Sequence, residues 1–372
     1  MSSETFRDKL KQIYEQNLRD TVDKTLSSIS MQEICNQFEA YPNWCIGPIS
    51  KRDDLTFKQP RQWDDPTYIG WKSGFLFNPS LIEHEEKLFM FYRAAPKKEA
   101  LCSRIGLAIF DKENGWTDCS ENPLIFSEFE DEIISVEDPK IYKYIDEDKK
   151  TRFIMYYNGV APITDEIKNE LIAEGIEVPS VVCNIKAAVS DDLIHWKKIG
   201  IIVPHEISLY WAKAAVIPRD TNGYAVKING EYLMYLSEGC GGKQVIGRSK
   251  NLINWTYEPE NYLDIGDWGE IYEVACAVTD YMTNNKNILM LDLFYKLPNG
   301  TSSAAQAMYD KRDPFKQLAL NRGGTLSWGG IIQYDNSWIY AQGWDALPDT
   351  LEMYFYTAPI NKEQINNKGD KT

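Results

Sequence analysis

One phrase is written five times along this chain: a strand, a short polar turn, and a strongly apolar strand that ends in polar residues. The copies are FNPSLIEHEEKLFMFYRAA (77–95), EDPKIYKYIDEDKKTRFIMYYNG (137–159), AKAAVIPRDTNGYAVKINGEYLMYLSEG (212–239), YEVACAVTDYMTNNKNILMLDLFY (272–295) and WGGIIQYDNSWIYAQGW (328–344). HEEK, DEDKK, NGE, TNNKN and DNS give their tips hairpin turn chemistry. A second phrase follows most copies: SRIGLAIFDKENGW (103–116), IKAAVSDDLIHWKKIG (185–200), QVIGRSKNLINWTYEP (244–259) and SAAQAMYDKRDPFKQL (303–318). Each adds a third strand, a turn, and an aromatic that pins the start of a fourth. Four short strands repeated five times predict an all-β chain folded as a five-bladed β-propeller. The competing arrangement is a β-sandwich whose strands resemble one another by accident.

Two pieces fall outside the repeats. Residues 4–29 space Phe6, Leu10, Ile13, Leu18, Val22 and Leu26 as an amphipathic helix, which packs on the propeller or on a second subunit. DEIKNELIAEG (165–175) reads as a helical insertion in blade two, placed either to wall a cleft or as a plain surface excursion. The expected division is an N-terminal helical extension over 1–45, a propeller over 46–362 and a tail over 363–372.

In a propeller the first strand of each blade lines the axis, so the residues that begin those strands converge at one end of the channel. They are Asn78, Glu137 with Asp138, Lys213, Glu273 and Trp328. The second strands end in Arg93, Tyr157 with Asn158, Glu238, Tyr295, and Gln342 with Trp344. Carboxylates, an arginine and amides suit sugar hydroxyls, and aromatic faces suit sugar rings. Paired carboxyls also suit glycoside cleavage, one protonating the leaving oxygen and another activating water. Against this stands a structural reading: Asp before Pro starts turns, and Glu238 and Glu273 pair with Arg93, Lys213 or Arg248.

The composition narrows the alternatives. A net charge of -15 disfavours nucleic acid and anionic membranes. No apolar run approaches the ~18 residues of a membrane span, and MSSETFRDKLKQ has no signal-peptide core, so a cytoplasmic protein is expected. The 7 cysteines lack CxxC spacing and the 3 histidines are far apart, so neither disulfides nor a metal site nor a bound cofactor is expected.

FNPS, Arg93 within FYRA, SRIGLA, VEDPK, WAKAAVIP and SDDLIHW together resemble glycoside hydrolase family 130, five-bladed propellers acting on β-mannosides. The likeness runs from about residue 70 to 360 and is strongest in its first half. It implies a general acid at Asp138, with Asn78 and Arg93 on the sugar of an oligosaccharide substrate. The family divides into phosphorylases, which hold phosphate with clustered cations, and hydrolases, which carry carboxylates there instead. Here YLSEG offers Ser237 and Glu238 where the family segment ends in a basic pair, and Glu273 stands where phosphorylases tend to place a lysine. The expectation is an inverting, exo-acting β-mannoside hydrolase in which Glu238 or Glu273 activates water. Lys213, Tyr157, Asn158, Trp328 and Trp344 complete the substrate contacts.

The alternatives are a phosphorylase or mannosyltransferase, a propeller glycosidase for arabinosides, xylosides or fructosides, and a carbohydrate-binding propeller without catalysis. The arabinoside type usually has an aspartate on the first strand, where Asn78 stands. Lys140 replaces a usual family arginine, which loses a planar fork, and two further departures bear on substrate: Pro359 stands near a usual aspartate, and WGGIIQYDNSWIYAQGWDALPD diverges from the family pattern.

Overall fold

A computed structural model describes residues 3–20, 31–38, 41–59, 71–96, 102–325, 328–344, 346 and 350–366. Five antiparallel blades follow one another along the chain to form a propeller. Blade one holds Phe75–His84, Lys87–Ala95, Arg104–Asp111 and Gly115–Asp118 in that order, and blade two holds Ser135–Ile145, Thr151–Pro162, Val181–Ser190 and Trp196–Ile201. Blade three is split. Ala212–Lys213 pairs with Glu238–Gly239, while Tyr232–Leu236, Val245–Ser249 and Trp255–Pro259 form a separate ladder. Blade four holds Glu270–Thr279, Ile288–Lys296, Ser302–Asp310 and Asp313–Arg322.

Blade five is closed from the other end of the chain. Ile332–Tyr334, Ser337–Gln342 and Glu352–Pro359 are followed by Ser50–Lys51, which pairs with Glu352–Pro359 as the outermost strand. The repeat pattern lacked a fourth strand here because that strand lies about 300 residues away in sequence.

The core is five wedges, one between each pair of neighbouring blades. Alternate residues of a strand face opposite sides of its sheet. In KLFMFYRA, Leu88, Met90, Tyr92 and Ala94 therefore pack toward blade five, against Ile332, Ile339 and Phe355. Phe89 and Phe91 turn the other way, onto Val136, Ile141, Phe153 and Met155 of blade two. Burial on both faces is why these strands read as unbroken apolar runs. The same arrangement recurs between blades two and three, three and four, and four and five.

The repeated turn phrase is repeated in atomic detail. Ser190 Oγ accepts from the Asp192 and Leu193 amides, Asp192 Oδ1 from Ile194 and His195, and Trp196 Nε1 donates to the Leu193 carbonyl. In blade three Ser249, Asn251 and Trp255 make the equivalent bonds. Hairpin tips agree as well: Glu85–Glu86, Asn229–Gly230 and Asp335–Asn336 all have positive φ at both positions, the geometry of tight two-residue loops.

The N-terminal helix spans Ser3–Asp20. Phe6, Leu10 and Ile13 pack on Ile133, Ile134, Val160, Val181 and Cys183 of blade two, and Lys9 pairs with Glu130 at 3.0 Å. Its apolar side thus meets its own propeller. Val22 and Leu26 lie outside the described residues, as does the Leu18 side chain and the tail beyond residue 366. The insertion in blade two is the helix Asp165–Ala173, capped by Thr164, whose hydroxyl accepts from the Ile167 amide. Among the described residues no helix is long and apolar enough to cross a membrane.

Candidate active site

The inner strands of blades one and two carry the same irregularity at the same place. Register passes from Phe77↔Arg93 to Ser80↔Phe91, so Asn78 and Pro79 together oppose Tyr92. In blade two it passes from Glu137↔Asn158 to Lys140↔Tyr156, so Asp138 and Pro139 oppose Tyr157. Each is a bulge of two residues against one. Asn78 (φ 44) and Asp138 (φ 54) adopt the left-handed conformation that Asn and Asp tolerate best, and the prolines, having no amide to donate, suit the break in the ladder. The bulges bring the two side chains together: Asn78 Nδ2 donates to Asp138 Oδ1 at 2.5 Å.

Around that pair the predicted ring assembles. Arg93 Nη1 reaches Asp138 Oδ1 at 3.0 Å and Glu137 Oε2 at 2.5 Å. Lys213, from blade three, lies 3.2 Å from Asp138 and 3.3 Å from Glu137. Lys213 sits opposite Glu238 in the short ladder of blade three. Arg93 is itself oriented by Ser103 Oγ at 2.7 Å, and Ser103 by Ser135. Glu137 is fully buried, whereas the side chains of Asp138 and Lys213 keep 14% and 16% of their surface exposed, so solvent and ligands reach the ring over these two.

The carboxyl groups of the ring differ in charge state. Burial alone would raise the pKa of Asp138, but Lys213 and Arg93, with hydrogen bonds from Lys213 and Asn78, hold it well below the usual range. Glu238 goes the other way. Its burial outweighs the pull of Lys213, Glu273 and Asp138 add repulsion, and its pKa is pushed up to about 8. Glu273 is also raised, by burial first, against the opposing charge of Lys140.

Lys140 is the ring residue whose part the sequence concealed. Its ammonium lies 3.2 Å from Glu273 Oε1 and donates to the carbonyls of Ala275 and Trp328, tying blade two to blades four and five across the axis. The sequence marks Lys140 as standing in place of a usual arginine, but nothing near it points to Glu273, 133 positions away. Tyr272 was missed; 37% exposed, it stands on the rim beside Glu238, which helps push its hydroxyl up to about 12 after burial.

The aromatic edge forms from blades four and five. Trp344 Nε1 donates to Asn78 Oδ1, the Trp328 and Trp344 rings are 6.4 Å apart, and Phe294 packs on Trp328 at 5.2 Å. Tyr157 and Asn158 are placed differently from the expectation of substrate contact. Both are buried behind Asp138; the Tyr157 hydroxyl donates to Glu132 and Asn158 Nδ2 to the Ala212 carbonyl, so their polar ends are taken by protein. Among the described residues no group of three or more His, Cys, Asp or Glu side chains is placed to hold a metal ion, and all seven cysteines are free thiols.

No family model matches the chain, and no curated protein matches it by sequence. Solved structures do share its fold. A structure from the GH130 family of mannoside phosphorylases, of glycoside hydrolases that target β-1,2 mannosidic linkages in Candida mannan, superposes with a TM-score of 0.61 at 16% identity, over 87% of this chain and 97% of that one. A glycosyl hydrolase from Bacteroides ovatus gives 0.64 at 17% identity, over 88% and 99%. The β-1,2-mannobiose phosphorylase of Listeria innocua, in complex with β-1,2-mannobiose, gives 0.56 at 12% identity, over 84% and 97%. The chain therefore has the five-bladed propeller fold of these proteins along nearly their whole length.

Proposed function

We propose that this chain is a divergent member of glycoside hydrolase family 130 and an inverting, exo-acting hydrolase of β-mannosides. The observation that carries the choice of hydrolysis over phosphorolysis is the pairing of the ring's cations. Arg93 and Lys213 are held by Glu137 and Asp138, and Lys140 by Glu273. A phosphate dianion needs cations with free directional donors. Here it would have to displace a carboxylate from each, with Glu238 and Glu273 beside it. Water meets no such barrier.

In this reading Asp138 protonates the leaving oxygen while Glu238 or Glu273 holds the attacking water. Asp138 is ionised while Lys213, Arg93 and Asn78 all contact it, so it has to take up a proton from solvent as substrate binds. A sugar hydroxyl that takes over the contacts of Lys213 and Asn78 weakens two of the interactions that lower its pKa, against burial, which raises it, with Arg93 still in place. A second arrangement exchanges the roles, with Glu238 as proton donor and Asp138 as base; the elevated pKa of Glu238 favours it.

Leaving groups separate the two. Removing the general acid should slow β-mannobiose cleavage by about 10²–10⁴-fold, yet leave a dinitrophenyl β-mannoside, whose leaving group needs no proton, far less affected. We expect that pattern in Asp138→Asn; finding it in Glu238→Gln would establish the exchanged roles. Mannobiose turnover unchanged in both variants would remove Asp138 and Glu238 from the mechanism, and a mannose 1-phosphate product that requires added phosphate would refute the hydrolase.

A further inference from the structure

Beside the ring lies an open cleft of about 840 Å³ that the reaction at Asp138 does not itself employ. One wall is the segment that follows the blade-two helix, including Ile176 and Val178; the other is the glycine-rich turn after Glu238, with Lys243 at its end. Trp211 and Gly239 line the cleft between them. The cleft starts one register step from the ring, because Ala212 pairs with Gly239 and Lys213 with Glu238 in the same two-residue ladder.

Several features make this a constructed space. Gly239 has φ 90, and a Cβ there would stand 2.1 Å from the Trp211 carbonyl oxygen, so the strands close at this point only around glycine. The Cys240 amide then donates to that same carbonyl at 2.8 Å. The helix that carries the outer wall is braced: Leu171 is buried beneath it, and Tyr210, next to Trp211, donates to Glu170 Oε2 at 2.9 Å. Trp211 is half-buried and its ring also lies 5.7 Å from the Lys213 ammonium, so a single indole borders both the ring and the cleft.

A half-exposed indole offers a flat face to the C–H side of a sugar ring, while carboxylates and a lysine on the walls offer partners to its hydroxyls. The volume falls within the ~300–1,000 Å³ of small-molecule sites, and the cleft borders the ring through Trp211 and Gly239, the neighbours of Lys213 and Glu238. We propose that this cleft receives the leaving-group side of the substrate, more than one sugar unit beyond the bond cleaved, with Trp211 as the stacking platform. The inference rests on the glycosidase reading and adds a preference for oligosaccharides over disaccharides.

The test compares kcat/KM for β-linked manno-oligosaccharides of two, three and four residues in the wild type, Trp211→Ala and Ser180→Trp. Ser180 is an exposed cleft residue outside the ring, and a tryptophan there fills the space without touching Asp138 or Glu238. We expect the wild type to favour the tetrasaccharide over the disaccharide. That ratio should fall by up to about tenfold in each variant, the size of one lost stacking contact, chiefly through KM. Equal kcat/KM at all lengths in the wild type, or a ratio that survives in Ser180→Trp, would overturn the cleft assignment and leave the hydrolase standing. A wild type that neither binds nor cleaves any of the three would overturn both.

Discussion

Blades two and four each present a carboxylate at the start of the inner strand, and the two meet different fates. Asp138 sits on a bulge that swings it against Arg93, Lys213 and Asn78, contributed by blades one and three, and it stays ionised. Glu273 is buried with Lys140 as its ion-pair partner, and its neighbour across the ring, Glu238, has Lys213 to offset burial and repulsion. Equivalent positions in a repeat thus acquire different chemistry, because the repeat sets where a side chain points while neighbouring blades set its charge.

The comparison can be broken most severely at Lys213. Lys213→Met leaves Glu137 and Asp138 sharing Arg93, and loss of one partner from a buried ionic cluster typically costs about 3–5 kcal/mol. A large fall in Tm at neutral pH is expected, shrinking as the pH drops and Asp138 takes up a proton. An unchanged Tm would mean that the ring does not depend on that charge.

A smaller effect belongs to Glu238. Its folded pKa of about 8 lies above the ordinary glutamate value of 4.5, so the folded state binds the extra proton. Its contribution is fully present below the ordinary value and is lost as pH rises through about 8. Glu238→Gln should remove that part of the pH dependence of Tm; a slope identical to wild type between those limits would show that Glu238 ionises normally. The smallest effect is expected for Trp344→Phe, which removes one hydrogen bond to Asn78 and keeps an aromatic face. A rise in KM of roughly fivefold, from about 1 kcal/mol, with kcat little changed would place this contact in binding; an unchanged KM would remove Trp344 from the sugar site.

Much of the scaffold was legible because its signals are local. SDDLIHW and SKNLINW form the same turn since Ser, Asx and Trp bond to backbone within five residues of themselves. Asn-Pro and Glu-Asp-Pro could be assigned to the axis because proline next to a turn-tolerant residue breaks a strand wherever it occurs. The closing strand at Ser50–Lys51 was not legible, nor was the reach of Lys140 to Glu273, 133 positions away. Tyr157 and Asn158 looked like site residues from their place at a strand end, and only their bonds to Glu132 and the Ala212 carbonyl show that they stand behind the acid.

By itself, then, the sequence determined the five repeats, their hairpins and the residues delivered to one end of the axis, since these follow from alternation, turn chemistry and proline. Tertiary structure alone decided which carboxyl groups keep their protons, where the ring is closed and where a cleft opens beside it. Charge state depends on desolvation and on partners from other blades, and neither is written in the neighbourhood of the residue that feels them.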